Sequence, residues 1–441
     1  MNNQNKRYKK HKRKYKIRIV PTLTATVCVL ALIGFVLHLA FGNTPETASS
    51  IPAAVESAAP EFKNTYATVI STGDIMVHDP QLTGAYVAST GEYDFSDFFK
   101  EVAPYFKSAD LAVANLEVTF GGETSGGYRG YPAFNCPDSL ADAIKDSGLN
   151  LLLTANNHSY DTGLSGFKRT QQVLTSKGIE YTGTRQSAES SPYVIKEINN
   201  IKIGIADFTY ETDGDLQGRK YLNGILLAEE ANNLINSFSY NRIDEFYTNA
   251  QSMITEMKAD GAEYIVFYMH WGNEYKIEAN SWQKNIAQKL SNLGVDMIIG
   301  GHPHVIEPVE LIYSEDGQNT TVCLYSLGNA VSNQRQERMD SCPTGHTEDG
   351  MLFSFTLEKT QDGVSLIDLD IIPTWVDKFA KGNGYRYTIY PLENGNDGAE
   401  KYSLNASSAE RAAKSYKRTI EIIADGLTAC QREIGCNITF E

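Results

Sequence analysis

The stretch NLLLTANNHSYDTG, residues 150–163, joins a short apolar run to a dense group of polar side chains. Residues 150–154 have the length and composition of a buried strand, and residues 164–176 have the spacing of an amphipathic helix. The same succession of strand, polar turn and helix returns along the chain. Strands that alternate with helices are typical of layered α/β domains, so we predict this fold class.

The predicted elements extend on both sides of this stretch. Further strands are predicted at 67–71, 111–115, 202–207, 264–269, 296–299 and 321–326, and further helices at 96–105, 139–146, 250–258 and 281–293. Residues 351–357 and 364–371 alternate apolar and polar side chains and predict a closing hairpin through Gln361, Asp362 and Gly363. A Gly- and Asn-rich stretch at 381–398 precedes one last predicted helix at 409–427.

The charge of the chain is divided unevenly between its two parts. The 441 residues include 39 Lys and Arg against 54 Asp and Glu, a net charge of −15. Nine of the basic residues and no acidic residue lie within residues 1–18, so the rest of the chain carries a net charge of −24. A domain this acidic is a poor nucleic-acid binder, and no nucleic-acid partner is expected.

The first 64 residues predict a membrane protein. Residues 19–41 are uncharged and apolar, and a helix rising about 1.5 Å per residue crosses a hydrocarbon core of about 30 Å over this length. A cleaved signal peptide is the alternative, but residues 38–41 fit the small-residue cleavage pattern poorly. Because basic flanks stay in the cytoplasm, we predict a single-pass cell-membrane protein with its main domain outside. Its parts are a cytoplasmic tail at 1–18, a transmembrane anchor at 19–41, a flexible stalk at 42–64, a main domain at 65–375 and a C-terminal extension with one helix at 376–441.

The cysteines follow the same division. Cys28 lies in the predicted anchor, and the five others lie where disulfides are permitted. Cys430 with Cys436 and Cys136 with Cys342 are the candidate pairs, which leaves Cys323 free. No C-x-x-C pair occurs, so a thiolate zinc site or a redox motif is not expected.

The polar residues with catalytic chemistry come directly after the predicted strands. In open α/β sheets, the carboxyl ends of the strands meet in one crevice, where ligands bind. We therefore expect these side chains to converge on one edge of the domain. They are Asp74, Glu117, Asn156, Asn157, His158, Asp161, His270, Glu274, His302, His304 and Asn329.

Four histidines at strand ends favour a metal site. A single histidine in such a position is more often a hydrogen-bonded structural residue. Four of them beside two carboxylates and an Asn pair favour metal ligation, and imidazole with carboxylate but no thiolate suits Mn, Zn or Fe. Such a site can hold two divalent cations about 3.5–4 Å apart, bridged by a carboxylate.

Six motifs, in this order and spacing, resemble the poly-gamma-glutamate capsule biosynthesis protein CapA family. The resemblance covers about residues 65–371. It implies a four-layer α/β/β/α sandwich of the calcineurin-like metallophosphoesterase type, on a membrane-anchored domain outside the cell. It also implies a part in capsule or released poly-gamma-glutamate formation beside membrane ligase subunits. The motifs are residues 73–76 (GDIM), 115–117 (NLE), 155–163 (ANNHSYDTG), 270–275 (HWGNEY), 301–304 (GHPH) and 326–329 (SLGN).

The resemblance assigns roles to individual residues. It implies that His158 protonates the leaving group and that Asp161 orients His158. Substrate contacts are expected from Asn156, Glu274, Asn329 and Arg335, although solvated loop positions remain the alternative for Arg335 and Arg338. Trp271 and Tyr275 wall the crevice or pack under a loop. The implied metal ligands are Asp74, Glu117, Asn157, His270, His302 and His304.

Two positions depart from the usual phosphoesterase pattern. Met76 stands where a histidine ligand is usual, which leaves one metal position with Asp74, Glu117 and His304 unless His78 or a water contributes. Glu117 stands in place of a bridging Asp. We expect His78 to lie in a loop, and His346 to lie at the surface.

These observations leave three functions open. One is a metal-dependent hydrolase of the phosphoesterase type. The second is a non-catalytic assembly factor that holds an anionic envelope polymer, and the third is a protein-binding module on a degenerate phosphoesterase fold. A polyanion would be repelled by the net charge of −24 unless metals or a local basic patch bridge it, which favours a bound divalent cation.

Overall fold

Two β-sheets face each other across a shared apolar core in the computed structural model. It describes residues 62–212, 218–381, 384–393, 395 and 400–440. The predicted tail, the predicted anchor and residues 42–61 of the predicted stalk lie outside the described residues. Within the described ranges, no helix has both the length and the apolar character needed to cross a bilayer.

The strands and helices are numbered along the chain. The helices are α1 (Asp79–Ala85), α2 (Ser96–Phe99), α3 (Ala103–Ser108), α4 (Ser139–Ser147), α5 (Gly163–Ser176), α6 (Ile243–Ala259), α7 (Ser281–Leu293) and α8 (Ala406–Ile434). The strands are β1 (Thr65–Ile75), β2 (Tyr86–Val87), β3 (Glu92–Tyr93), β4 (Leu111–Leu116), β5 (Leu151–Leu153), β6 (Glu180–Thr182), β7 (Val194–Ile198), β8 (Ile201–Tyr210), β9 (Tyr221–Leu222), β10 (Ile225–Leu226), β11 (Ser237–Phe238), β12 (Tyr264–His270), β13 (Met297–Gly301), β14 (Val309–Tyr313), β15 (Thr320–Leu324), β16 (Asn329–Val331), β17 (Asp349–Thr360), β18 (Gly363–Lys381) and β19 (Gly384–Pro391).

Each large sheet has a parallel centre. Over the described residues, the first sheet has the order β19-β18-β17-β1-β4-β5-β6, with β16 also paired to β1. Its strands β1, β4, β5 and β6 run parallel, whereas β17, β18 and β19 are joined antiparallel. The second sheet has the order β11-β8-β12-β13-β15-β14, with β7 paired to β8. Its central strands β8, β12, β13 and β15 are also parallel.

Successive side chains of a strand point to opposite faces of its sheet, so the apolar residues form one core between the sheets and one on each outer face. Val69 of β1 packs between the sheets with Ile205 of β8, whereas the next residue, Ile70, packs on the outer face of the first sheet. That outer face is covered by helices α2 to α5. The outer face of the second sheet is covered by α6 and α7, which contribute Ile254 and Ile286. The order of layers is therefore helix, sheet, sheet, helix, and the predicted α/β class is confirmed.

The closing part of the chain shows what the sequence pattern detected and what it did not. The predicted hairpin is confirmed, with Thr360 paired to Gly363 across a two-residue turn. The Gly- and Asn-rich stretch contains β19, which we did not predict. It pairs with β18 and belongs to the first sheet. Helix α8 packs against the core between the sheets, so the predicted extension at 376–441 is part of the same unit as the main domain.

Two helix predictions need correction. The predicted helix at 96–105 is divided into α2 and α3, because Pro104 lacks the N–H that would continue the hydrogen-bond ladder. The helix predicted at 250–258 begins earlier, at Ile243.

Helix α7 has the expected length because both of its ends are capped. Asn280 and Gln283 exchange side-chain and backbone hydrogen bonds at its start, and Gly294 ends it with a φ of 89°.

The predicted disulfides are wrong. The five cysteines of the described part are all free thiols. Cys430 is buried with the core between the sheets, whereas Cys436 follows the end of α8, where its N–H bonds Gln431 O at 3.1 Å. Cys136 is buried under the helices of the first sheet. The described thiols are thus held by packing or lie in a loop, and none of them forms a disulfide.

Candidate metal centre

The carboxyl ends of strands from both sheets meet at one edge of the sandwich. Asp74 of β1 is paired with Asn115 of β4, and His270 at the end of β12 is paired with Gly301 of β13. The backbone N–H of His302 donates to Asp74 Oδ2 at 3.2 Å and links the two sheets directly. The predicted convergence of strand-end side chains is therefore present in the structure.

Three groups of side chains at this edge have ligand atoms close enough to hold a metal ion. Glu117, His270 and His302 form one group, and Asp74, Glu117 and His304 form the second. Within each group the ligand atoms lie within 4.8 Å of one another. Glu117 therefore belongs to two groups at once, as a bridging carboxylate would. The third group contains the exposed Glu274 with His302 and His304.

Two buried atoms of this centre lack a partner. Glu117 Oε1 and His302 Nδ1 have no hydrogen bond to any part of the chain that the structure describes. The nearest basic atoms to Glu117 Oε1 are Nε2 of His270 at 3.6 Å and Nε2 of His304 at 3.9 Å. An unpaired buried polar atom costs free energy, and a divalent cation would satisfy both atoms. The residues present therefore fit a metal centre.

The surroundings favour the metal-binding form of the histidines, whereas the Glu117 carboxylate is disfavoured unless a cation lies beside it. Burial lowers the pKa of His270 and of His302 well below the usual range, and the neighbouring histidines lower it further. Their imidazoles are thus neutral and have a lone pair for a cation. Burial, followed by the nearby Asp74 carboxylate, raises the pKa of Glu117 well above its usual range. A cation between these groups offsets the repulsion between the two carboxylates.

Asn157 is held with its amide oxygen towards this centre. Its Oδ1 lies 2.8 Å from His270 Nε2, and its Nδ2 donates to Asn223 Oδ1 at 3.0 Å. The second bond fixes which end of the amide faces the histidines. Sequence reasoning missed Asn223, although the Asn-Gly pair between β9 and β10 is a typical hairpin signal. Nothing in the local pattern indicated that this hairpin reaches the strand ends.

The predicted pairing of His158 with Asp161 is present. His158 Nδ1 lies 2.7 Å from Asp161 Oδ2, and both side chains are buried. The backbone N–H of Phe134 donates to the same carboxylate oxygen at 2.6 Å, which holds Asp161 in place. The ring of Phe134 meets the imidazole edge-on, with centroids 4.7 Å apart. Asp161 and Phe134 together set the orientation of His158.

Asn115 is a second residue that sequence reasoning missed. Its Nδ2 donates to Asp74 Oδ1 at 2.7 Å and lies 3.3 Å from Glu117 Oε2, so it spaces the two carboxylates. Asn156 supports Asn115, because Asn156 Nδ2 donates to Asn115 Oδ1 at 3.0 Å and to Leu116 O at 2.8 Å. Asn156 is fully buried. The structure thus gives Asn156 a role in the frame of the centre that we did not predict, and the expected substrate contact stays a prediction.

Asn329 also differs from its prediction. It is fully buried, and its Oδ1 lies 3.2 Å from His304 Nδ1. Its Nδ2 donates to His304 O and to two other acceptors, so Asn329 orients a metal-group histidine and does not face a substrate. The backbone of His304 has a φ of 57° and that of His302 a φ of 96°, both in the left-handed region. These strained conformations turn both rings towards the carboxylates.

Arg335 lies away from the crevice. Its side chain is 2% exposed, and its Nη2 lies 3.0 Å from Glu348 Oε2. It also bonds Val376 O and stacks over the Trp375 ring at 5.9 Å. Both the predicted substrate contact and the alternative of a solvated arginine are wrong. The ion pair joins the loop after β16 to the turn directly before β17, and the bond to Val376 O joins the same loop to the long strand β18.

The two departures from the phosphoesterase pattern have structural consequences. Met76 is 1% exposed and packs with the outer core of the first sheet, so its side chain serves packing. His78 caps α1 beside Gln81, and burial lowers its pKa to about 4. In the described ranges, no metal-capable group includes His78. One metal position is thus left with Asp74, Glu117 and His304.

Aromatic rings line the centre. The ring of Tyr210 lies 4.7 Å from that of His302, and the ring of Tyr275 lies 6.0 Å from that of His304. Trp271 is fully buried and donates to Tyr325 O at 3.0 Å, so it packs under the site. The predicted wall therefore includes Tyr275 but not Trp271.

Residues 68–334 match the protein family described as bacterial capsule synthesis protein PGA_cap. The chain belongs to the PGA_cap family. The metal-capable groups and the His158–Asp161 pair all lie inside the matched range. Helix α8 and the acidic partner of Arg335 lie beyond it, so the family match covers the centre and not the closing helix.

Two relatives carry CapA names, which confirms the resemblance to CapA proteins. The PGA biosynthesis protein CapA of Bacillus subtilis is 29% identical over 296 residues, covering 66% of this chain and 68% of the relative. The capsule biosynthesis protein CapA of Bacillus anthracis is 25% identical over 316 residues, covering 70% and 68%.

Solved structures with detectable similarity include two phosphoesterases. The calcineurin-like phosphoesterase YfkN from Bacillus subtilis covers 81% of this chain and 99% of its own, with 14% identity and a TM-score of 0.38. A phosphatase from Mycoplasma pneumoniae covers 70% and 94%, with 13% identity and the same TM-score of 0.38.

Proposed function

We propose that this chain is a CapA-like membrane-anchored protein with a divalent-metal site of the phosphoesterase type, acting outside the cell in poly-gamma-glutamate capsule synthesis or export. Membership of the PGA_cap family and the names of the two Bacillus relatives support the capsule role. The apolar stretch at 19–41 and the basic tail before it support the anchoring. Membrane ligase subunits and the polymer itself are the proposed partners.

The observation that carries the metal site is the position of Glu117. Its carboxylate belongs to both buried ligand groups, and one of its oxygens has no hydrogen-bond partner in the described part of the chain. We propose that Asn157, His270 and His302 complete one position, and Asp74 with His304 the other. When bound, Mn, Zn or Fe ions would supply Lewis acidity towards a phosphoryl oxygen and an acidified water.

The protein's own groups have defined tasks in this proposal. His158 holds a proton on the side away from Asp161 and donates it to the leaving group of a phosphoester. Asp161 keeps the imidazole in one orientation through the 2.7 Å contact at Nδ1. Tyr210 and Tyr275 narrow the access of water to the centre, and the exposed Glu274 is the predicted substrate residue that remains open to solvent.

A second candidate function is a binding or assembly module without hydrolytic activity. Met76 favours it, because a buried methionine occupies the place of a usual histidine ligand and leaves one position with three protein ligands. A weakly held ion at that position would serve binding better than catalysis. The two candidate functions differ in hydrolytic activity, since the same fold serves both.

Metal analysis of the purified full chain tests the first proposal. We expect stoichiometric Mn, Zn or Fe in the parent protein and loss of metal in His270→Ala and in His302→Ala. His346→Ala is the matched control, because His346 lies outside the metal-capable groups, 3.7 Å from Asp349. A parent protein without metal would refute the site. Bound metal without hydrolysis of p-nitrophenyl phosphate or of gamma-glutamyl substrates would select the second candidate.

Two cellular experiments test the remaining parts. Deleting the gene should abolish surface polymer, and an unchanged capsule would refute the capsule role. Deleting residues 19–41 should release the chain from the membrane fraction. External protease should digest the main domain in intact protoplasts, whereas protection of this domain would refute the proposed orientation.

A further inference from the structure

A second cavity of about 300 Å³ lies beside α6, apart from the metal centre. We call it the cationic cleft and define it by Arg185, Lys220, Asn232, Asn236 and Ser237, which line it. Two of these residues are cations in a part of the chain whose net charge is strongly negative. The proposed function assigns no task to either of them.

The positive charge of the cleft is incompletely neutralised. Arg185 Nη1 donates to Asn236 Oδ1 at 2.7 Å, and none of the described carboxylates forms an ion pair with this arginine. Lys220 Nζ donates to Ser237 Oγ at 2.9 Å and lies 3.7 Å from Glu211 Oε1. The same Glu211 carboxylate pairs with Arg242 at 2.9 Å. Lys220 and Arg242 therefore share Glu211, and Arg242 has a second carboxylate in Glu245 at 3.3 Å, whereas Arg185 has no ion pair among the described residues.

The other charged group at the cleft offsets part of this positive charge. Glu256 also lines the cleft, but it lies on the exposed face of α6 and accepts a hydrogen bond from Ser252 at 3.0 Å. The cleft also contains an unused acceptor. Asn232 Oδ1 is buried and has no hydrogen-bond partner within the described ranges. The lining thus offers positive donors together with an acceptor for an N–H group.

Two short segments run from the metal centre to the cleft. Tyr210, whose ring contacts His302, directly precedes Glu211, which pairs with Lys220. Lys220 in turn lies three residues before Asn223, which bonds the Asn157 amide. A ligand much longer than one residue could therefore contact both sites.

We propose that the cationic cleft binds a carboxylate of an amide-linked polymer of acidic residues, while another part of the same polymer lies at the metal centre. The planar guanidinium of Arg185 matches a carboxylate through two parallel hydrogen bonds. An amide N–H of such a polymer is the donor that Asn232 lacks, and a polyphosphate has no such group. The cleft supplies the local positive charge that an acidic domain needs to hold a polyanion. This inference rests on the proposed function.

Fluorescence anisotropy with a labelled gamma-linked glutamate decamer tests the cleft in the full chain. Arg185→Met should raise the Kd about tenfold or more, as expected when a charge-assisted hydrogen bond is lost. Arg185→Lys should give an intermediate Kd, because lysine keeps the charge but loses the two parallel hydrogen bonds, and this remaining affinity shows that the site still folds. Arg432→Met, which removes the same charge from the exposed end of α8, should leave the Kd unchanged.

Five outcomes of these measurements support or overturn the proposal. Equal affinity of the parent and Arg185→Met, or no binding of the decamer by the parent, would overturn the proposal. Binding of a polyphosphate of the same length in place of the decamer would overturn the assignment to a carboxylate polymer. Metal content and hydrolysis of p-nitrophenyl phosphate should be the same in Arg185→Met as in the parent. Arg185-dependent binding by a protein that holds no metal would support the cleft while refuting the proposed metal site.

Discussion

In the Glu117→Gln variant, the free energy of unfolding should no longer increase when divalent metal is added. The substitution preserves the shape of a side chain that both buried ligand groups share, but it removes the negative charge between His270 and His304. Glu307→Gln is the matched control. Glu307 is also fully buried with a raised pKa, and its Oε1 also has no partner among the described residues, but it belongs to none of the metal-capable groups.

The size of the effect follows from binding linkage. An ion that binds only the native state stabilises it by about 4 kcal/mol at a free concentration of about 1,000 times its Kd. If the loss of the shared ligand raises the Kd about a thousandfold, the same concentration stabilises the variant by only about 0.4 kcal/mol. Without metal, the variant should be at least as stable as the parent, because it no longer crowds two buried carboxylates, Asp74 and Glu117.

Urea unfolding of the full chain with chelator and with Mn²⁺ measures both quantities. The parent and Glu307→Gln should gain free energy of unfolding on adding metal, and Glu117→Gln should gain almost none. A full metal-dependent gain in Glu117→Gln would refute the bridging role of this carboxylate. A loss of the gain in Glu307→Gln would show that any buried Glu→Gln change has this effect.

Three further predictions test other parts of the structure. Asn223→Ala should weaken Mn²⁺ binding about 10- to 100-fold in calorimetric titration, as expected when an outer partner of a metal ligand is lost, and unchanged affinity would contradict its role. Glu348→Gln should lower the free energy of unfolding by about 3–5 kcal/mol, because it leaves the buried Arg335 without a carboxylate. The half-exposed Glu337→Gln should cost less than about 1 kcal/mol, and equal losses in urea unfolding would refute the difference. Burial raises the pKa of Glu307 in the folded protein to about 8, compared with about 4.5 in the unfolded chain. The contribution of Glu307 to the free energy of unfolding is therefore fully present below about pH 4.5. It is lost as the pH rises towards 8, by about 1.4 kcal/mol per pH unit. Glu307→Gln should remove this fall between pH 5 and 8, and an identical slope in the parent and the variant would show that another group is responsible.

The strand-end residues were predictable because parallel strands place their carboxyl ends at one edge. That rule located Asp74, Glu117, His270, His302 and His304 without any distance information. All five belong to the metal-capable groups that the structure brings together. The positions depended on the order of local elements, which apolar periodicity predicts well.

The residues that were misplaced have roles set by distant partners. Arg335 was expected to contact substrate or to be solvated, but it pairs with the buried Glu348 and lies over the Trp375 ring. Asn329 was expected to face substrate, but its amide bonds His304. A polar side chain after a strand can turn towards the crevice or towards the frame behind it, and the local sequence is the same in both cases.

The sequence alone determined the α/β class, the set of polar residues at the strand ends and the separation of a basic tail from an acidic domain. These properties depend on short-range patterns of apolar, polar and charged residues. Only the tertiary structure decided that Glu117 is shared between two ligand groups, that Asn223 orients Asn157 and that Arg185 has no ion pair with any described carboxylate. Each of these depends on atoms brought together across the sheets, as in the bond between His302 and Asp74, which are 228 positions apart. Contacts at such separations are set by how the layers pack, which no local pattern encodes.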